Sequence, residues 1–405
     1  MKLPELLHTK EKFTQTIQIS SFLGLIVTDA SQVVQKRRKI IHQALNFHEK
    51  NFLERNLQEE SSELINAIKA KQTKQKNVND SISMAEELSL CASNVFIRLL
   101  FNKRFPTIDG AFRTIQNLLL IMLKGLTLSN LLEGFPALRK IPLGRLLFLD
   151  EYVKGMFGFI GKEYDSHLKK KSTIDENKIT DMTDILINDH NELTRDNIEV
   201  LLSDTLVAGI DATMNTLKLV VHNLAKYTDL AQTCYNEIEE VLKQNDDQKD
   251  RKITLNDVHK CHNLRAFIYE SLRITTVSPL TVPHKTHAEV EVNGYIIPKD
   301  TTVFFNIHGI HQDEQVFEDP QTFNPQRFLD AENGEFRHND RFFGFSFGRR
   351  NCIGQSYAIK SVIFVLVELM KNFELKLPDG GNLQSKFLYD TTLRVENLNV
   401  IVKER

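Results

Sequence analysis

Tryptophan is absent from the 405 residues, cysteine occurs four times and proline ten times. Each scarcity excludes something. Cys91, Cys234, Cys261 and Cys352 lie far apart with no Cys-x-x-Cys pair, which argues against a zinc cage and against a disulfide framework, and fits a reducing compartment. Charge of one sign is also lacking: 51 basic residues face 53 acidic ones, so no global field would draw in nucleic acid. The lysines at 169, 170 and 171 read as a solvated helix end. Long apolar runs are missing too. The first twenty residues carry lysines and threonines where a secretory leader needs an unbroken apolar core, and no later stretch offers about 18 uncharged apolar residues. The run 118–123 (LLLIML) is too short to cross a bilayer; it reads as core, with a dip into a membrane surface as the weaker alternative.

What is present divides the chain in two. After Pro4 prolines are sparse until Pro279, and six then fall between Pro279 and Pro378. Residues 1–275 read as a succession of helices, for example 51–71 and 84–100, with apolar residues three and four apart. From 276 onward a β element enters: Val290 and Val292, then Tyr295 and Ile297, alternate around Asn293-Gly294, a strong hairpin signal. The expectation is a mainly α fold with a small β portion. The helix over 195–227 has Thr194 as its N-cap and carries Ala208-Gly209-Ile210-Asp211-Ala212-Thr213 in its middle. An interior glycine costs about 1 kcal/mol relative to alanine, so Gly209 is expected either to admit a ligand close to the backbone or to ease packing against a second helix. The polar stretch 243–252 reads as a loop.

The densest chemistry lies at 343–354, FGFSFGRRNCIG. A proline-free apolar helix follows Gly354, so Cys352 falls just before a helix N-terminus, where free N–H groups and the dipole favour an anion. The spacing predicts an easily ionised sulfur, fit to be a nucleophile or a metal ligand, although a lone cysteine is most often a small buried hydrophobe. Gly348 and Gly354 leave room for a flat, bulky group, and Arg350 offers a cation for carboxylates.

Phe345, Gly348, Arg350, Cys352 and Gly354 fill the pattern Phe-x-x-Gly-x-Arg-x-Cys-x-Gly, which resembles the haem-binding loop of the cytochrome P450 monooxygenases. Glu270 and Arg273 resemble the Glu-x-x-Arg of that family, and Pro325, Arg327 and Phe328 its later Pro-x-Arg-Phe element. Asn94-Val95, Lys103-Arg104-Phe105, Pro283-His284 and His311-Gln312-Asp313 are similar to segments of the animal microsomal, drug- and steroid-oxidising branch, and the likeness runs from about residue 24 to the end. It implies one catalytic domain over 1–405 and haem b held by Cys352. Further cofactor contacts are implied at Arg37, Gly209, His284, Phe345, Gly348, Arg350 and Gly354. It also implies a buried triad of Glu270, Arg273 and Arg327, and a substrate wall at Ala208, Leu280, Thr281 and Val282. The implied partners are a NADPH-dependent flavoprotein reductase and an apolar small molecule such as a steroid, fatty acid or xenobiotic. The implied place is the endoplasmic reticulum membrane, or the cytoplasm with peripheral membrane contact if the chain is complete as given.

Three departures qualify the likeness. The family pattern Ala-Gly-x-Asp-Thr becomes Ala208-Gly209-Ile210-Asp211-Ala212, so a methyl group replaces the oxygen-activating threonine; Thr213 is one residue late, about 100° round the helix. Asp211 is left to relay protons, with Thr213 as the candidate substitute. The Trp-x-x-x-Arg contact survives as Val33 to Arg37 without its tryptophan. The membrane anchor, first helices and first strands are expected to have been lost ahead of residue 1. Two alternatives to a monooxygenase therefore stay open: a haem protein with impaired oxygen activation (a rearrangement enzyme, a peroxygenase or an inactive remnant), and a haem-free cysteine nucleophile using His284 or His338 as base. His308 and His311, three apart, are expected to be structural rather than a metal pair.

Overall fold

The computed structural model describes residues 25, 32–75, 77, 80–134, 145–171, 179–188, 193–243, 251–378, 386–389 and 392–405, with the side chains of 124–134, 145–153 and 386–389 excepted. The first twenty residues and most of the loop expected at 243–252 lie outside that set.

In chain order the helices are α1 (Gln32–His48), α2 (Glu54–Gln72), α3 (Ala85–Phe101), α4 (Gly110–Gly134), α5 (Arg145–Lys171), α6 (Met182–Asn188), α7 (Arg195–Lys226), α8 (Thr228–Lys243), α9 (Leu255–Lys260), α10 (His262–Ile274), α11 (Ile307–His311) and α12 (Gln355–Asn372). A π-helical turn, Glu49–Leu53, joins α1 to α2. The amphipathic spacing does what the sequence asks of it: α1 buries Val34, Arg37, Ile41, Ala44, Leu45 and His48, a stripe with three- and four-residue steps. The strands are short: β1 (Ile82–Ser83), β2 (His284–Lys285), β3 (Val290–Val292), β4 (Tyr295–Ile297), β5 (Thr302–Val303), β6 (Phe373–Lys376), β7 (Lys386–Tyr389), β8 (Leu393–Glu396) and β9 (Asn399–Glu404).

Every described strand pair is antiparallel. Strands β1, β9 and β6 form one three-stranded sheet, while β2–β5, β3–β4 and β7–β8 are two-stranded. The hairpin β3–β4 turns at Asn293 (φ 50°) and Gly294 (φ 83°), the two left-handed residues of a type I′ turn.

Helix α7, 32 residues long, starts as the sequence predicts, with the Thr194 hydroxyl accepting the Asn197 N–H at 3.3 Å. It packs against α3, α5, α6, α8, α10 and α12 and against strands β6 and β8. That centrality explains why its residues are buried nearly all the way round. One apolar cluster runs from Val34 on α1 to Val402 on β9, so the helical part and the β portion share a core. Among the described residues, no helix is long and apolar enough to cross a membrane.

Candidate functional site

The cysteine loop is shaped before any side chain is considered. Ser346 (φ 59°) and Gly348 (φ 67°) take left-handed backbone, a single 3-10 turn follows at Gly348–Arg350, and the Cys352 N–H donates to the Phe345 carbonyl at 2.8 Å. This closes a tight loop that delivers Cys352 just ahead of α12, whose N-cap is Gly354. The amides of Gly354 and Gln355 both act on the sulfur and, with the positive charge of Arg38, favour its ionised form. Burial acts more strongly the other way and leaves the thiol above its ordinary pKa. The expectation of easy ionisation is thus met by the two amides and the Arg38 charge but outweighed by burial. The side chain is nevertheless exposed. Residue 352 thus offers accessible surface although dense protein surrounds it.

Accessible surface also appears on other segments. Ala208 and Ala212, one turn apart in the middle of α7, are exposed while Val207, Ile210, Asp211 and Thr213 beside them are buried. Leu280 (47% exposed), Val282 (43%) and Phe347 (38%) leave large apolar surface open. A Cβ on Gly348 or Gly354 would meet nothing within 4 Å. The loop at 280–284 is tied to the cysteine loop by edge-to-face rings: His284 on Phe305 at 5.3 Å, then Phe305 on Phe347 at 5.0 Å. Thr281 steadies that loop, its N–H donating to the Phe305 carbonyl and its hydroxyl accepting the Phe305 N–H, both at 3.1 Å.

The implied haem is a flat apolar ring bearing two carboxylates, and these residues fit it. Open space at two glycines suits the ring, and an exposed cysteine just ahead of α12 suits the iron. The His284 Nε2 is buried without a hydrogen-bond partner, and after burial the nearby charge of Arg350 further lowers that imidazole's pKa. A buried donor beside a guanidinium suits a carboxylate.

Three expected site residues stand in settings that only the fold reveals. Gly209 does not open α7 to a ligand: a Cβ there would run into the ring of Phe96 on α3, so its missing side chain serves helix packing. Arg37 is buried and donates to Asn197 Oδ1; of the adjacent arginines it is Arg38 that bonds to the cysteine loop, at 2.8 Å to the Asn351 carbonyl and 3.2 Å to its Oδ1. Sequence reading missed Arg38 because the register of α1 against that loop is a tertiary property. Thr213 is buried, off the stripe of Ala208 and Ala212, and so does not occupy the place of the absent threonine.

The predicted triad does assemble. Arg273 donates to both oxygens of Glu270, at 2.7 and 2.8 Å, and to the carbonyls of His311 and Pro320, each at 2.8 Å. Arg327 completes the group with its Nε 3.5 Å from Glu270 Oε1, and Glu270 also accepts the Asn324 N–H at 2.8 Å. His311 is committed to the scaffold as well. Its Nε2 accepts the Phe343 N–H at 3.0 Å, leaving Nδ1 to face the Thr276 hydroxyl at 3.2 Å, and its ring stacks on Phe342. Phe345 packs beside Tyr269 and Phe342, so the cysteine loop rests on an aromatic bed joined to the triad. Of the two candidate bases, His338 faces Asp340 at 3.9 Å and His284 packs edge-on against Phe305.

Comparison with known proteins agrees with the geometry. A family profile described as Cytochrome P450 matches residues 7–399. The chain is 26% identical to Cytochrome P450 1A5 of Gallus gallus over 393 residues, covering 91% of this chain and 71% of that protein. It is 30% identical to Steroid 17-alpha-hydroxylase/17,20 lyase of Felis catus over 318 residues, covering 75% and 61%. It is 27% identical to Cytochrome P450 2C3 of Oryctolagus cuniculus over 374 residues, covering 89% and 72%. The chain therefore spans about three fifths to seven tenths of the length of these relatives. With a cysteine delivered just before α12, a largely buried Glu–Arg–Arg group and a profile match over almost the whole length, the chain belongs to the cytochrome P450 family.

Proposed function

We propose that this chain is a haem-thiolate monooxygenase that inserts one oxygen atom from O2 into an apolar small organic molecule. Electrons would come from a NADPH-dependent flavoprotein reductase, and residues 1–405 would act as one catalytic domain. Members of the family bind haem b through a cysteine thiolate. In that role the group supplies reductive activation of oxygen, with the thiolate pushing electron density toward O–O cleavage. The observation that carries the reading is Cys352, exposed, set just ahead of α12 and acted on by the Gly354 and Gln355 amides.

The chain's own residues divide the remaining work. Cys352 would be the metal ligand, with the two amides and Arg38 holding its negative charge. His284 and Arg350 would take the propionates, Gly348 and Gly354 would let the ring approach, and Phe345 would anchor the loop. Ala208, Leu280, Thr281 and Val282 would form a wall of small and aliphatic surface, which excludes water and selects apolar ligands. Location at the endoplasmic reticulum membrane, with peripheral contact, would fit the same family likeness.

The test is spectroscopic. The reduced carbon monoxide adduct is expected to show the red-shifted Soret band of thiolate ligation, and C352A to lose it while C234A, at a buried cysteine elsewhere, keeps it. An unchanged band in C352A would refute the assignment.

Ala212 favours a second reading, a haem protein with impaired oxygen activation that works from peroxides or pre-oxidised substrates. Turnover with peroxide but none with reductase and oxygen would select it.

A further inference from the structure

Helix α7 lacks a hydroxyl where the open stripe passes: position 212 is alanine and exposed, and Thr213 is buried. A hydroxyl nevertheless reaches Asp211 from another part of the chain. Thr392 Oγ1 donates to Asp211 Oδ2 at 2.5 Å, across 181 positions of sequence. Asn215 Nδ2, one turn along α7, donates to Oδ1 at 3.3 Å and to the Asp211 carbonyl at 3.0 Å. Thr392 is also tied to the proposed substrate loop. The N–H of the next residue, Leu393, donates to the Val277 carbonyl at 2.7 Å, just ahead of Leu280 and Val282, and that loop meets the cysteine loop through His284, Phe305 and Phe347. Thr392 therefore stands where α7, the substrate loop and β8 converge.

We infer that Thr392 is a positioning residue for oxygen activation: it brings to Asp211, from the leading end of β8, the hydroxyl that α7 lacks at 212. The inference rests on the monooxygenase reading above. Thr392 keeps its own hydrogen; the carboxylate takes up one proton and releases one, so the proton count closes. The groups around Asp211 set how readily it does so. Burial raises its pKa, while Thr392, then Arg394 on β8, Lys218 on α7 and Asn215 lower it. Lys218, itself held at about 8 mainly by burial, also faces Glu396 and Arg394 on β8 and Glu86 on α3.

The test uses T392V, T392S, A212T, D211N and the double variant A212T/T392V of the full chain. The Asp211 carboxyl is followed as the infrared band that D211N removes. In T392V it is expected to titrate about one pH unit higher, a tenfold change in its proton affinity, and T392S is expected to restore it. In the haem-loaded proteins given reductase, NADPH and oxygen without substrate, the pH profile of NADPH oxidation in T392V should move with that titration. T392V is expected to release more peroxide and less water per NADPH than wild type, and A212T/T392V to regain the wild-type split. An unmoved carboxyl titration in T392V, or a double variant no better than T392V, would overturn the inference. Loss of the thiolate spectrum from every protein would refute the monooxygenase reading instead, and the infrared titration, which needs no haem, would still report the hold of Thr392 on Asp211.

Discussion

Alanine at position 209 would favour an isolated helix by about 1 kcal/mol over glycine, yet here the ring of Phe96 occupies the space that an alanine methyl would need. Phe96 is 5% exposed and lies 5.7 Å from Tyr357, ring to ring, so it has little freedom to withdraw. G209A is therefore expected to destabilise the protein by roughly 1–3 kcal/mol through overpacking, measured as a lower urea midpoint. F96L alone should also cost stability, and G209A/F96L should cost less than the sum, because the smaller side chain clears the methyl. Strict additivity would mean that the two residues do not meet as described. The sequence showed that Gly209 needed a reason but could not choose between ligand and packing, because Phe96 is 113 positions away. The five-residue pattern around Cys352 was legible for the opposite reason. Its chemistry is local, fixed by the loop turn and by the start of α12, and needs no partner from afar to be recognised.

Between elements, the decisive contact is α10 against the 3-10 turn Pro325–Phe328 and the chain after α11. Glu270 and Arg273 have no exposed side-chain surface, and Arg327 has 12%. E270Q leaves the Arg273 cation buried without its anion, which is expected to cost about 3–5 kcal/mol. R327A removes a pair 3.5 Å apart at the rim of the group and should cost about 1 kcal/mol or less. Chemical denaturation of the two variants checks the order; equal losses would show that Arg327 is as deeply committed as Arg273. The two carboxylate–guanidinium partners on one helix turn were visible in the sequence as an i,i+3 pair. Its burial was not, since that depends on the carbonyls of His311 and Pro320 arriving from outside the helix. The same limit hid Arg38, Thr392 and the Thr276–His311 contact, each of which joins segments that only the fold brings together.

At the scale of the whole molecule, the interior holds histidines that resist protonation. His48, His222 and His311 are 1%, 3% and 0% exposed, and burial lowers their pKa values to about 4, about 4 and about 3, with Arg55, Lys226 and Arg273 adding charge repulsion respectively. Unfolded, each would titrate near 6.5. The folded state thus binds fewer protons than the unfolded state below that value, so stability is full above pH 6.5 and is lost as pH falls from there toward the folded values. Buried and half-buried carboxyls act in the opposite sense. Glu237, Glu368 and Asp211, all raised chiefly by desolvation, bind protons more readily folded than unfolded, which tempers the loss as their own range is approached. The window in which the histidines dominate is therefore pH 6.5 to about 5.5, the upper part of the fall, before unfolded carboxyls near 4 begin to titrate. Three full protons would correspond to about 4 kcal/mol per pH unit, and the net uptake on unfolding at pH 5.5 is expected to lie between about one and three. Calorimetric unfolding in buffers of different ionisation enthalpy measures that uptake directly. Release of protons at pH 5.5, or a melting temperature that rises as pH falls from 6.5, would show that the carboxyls rather than the buried imidazoles govern the acid response of this fold.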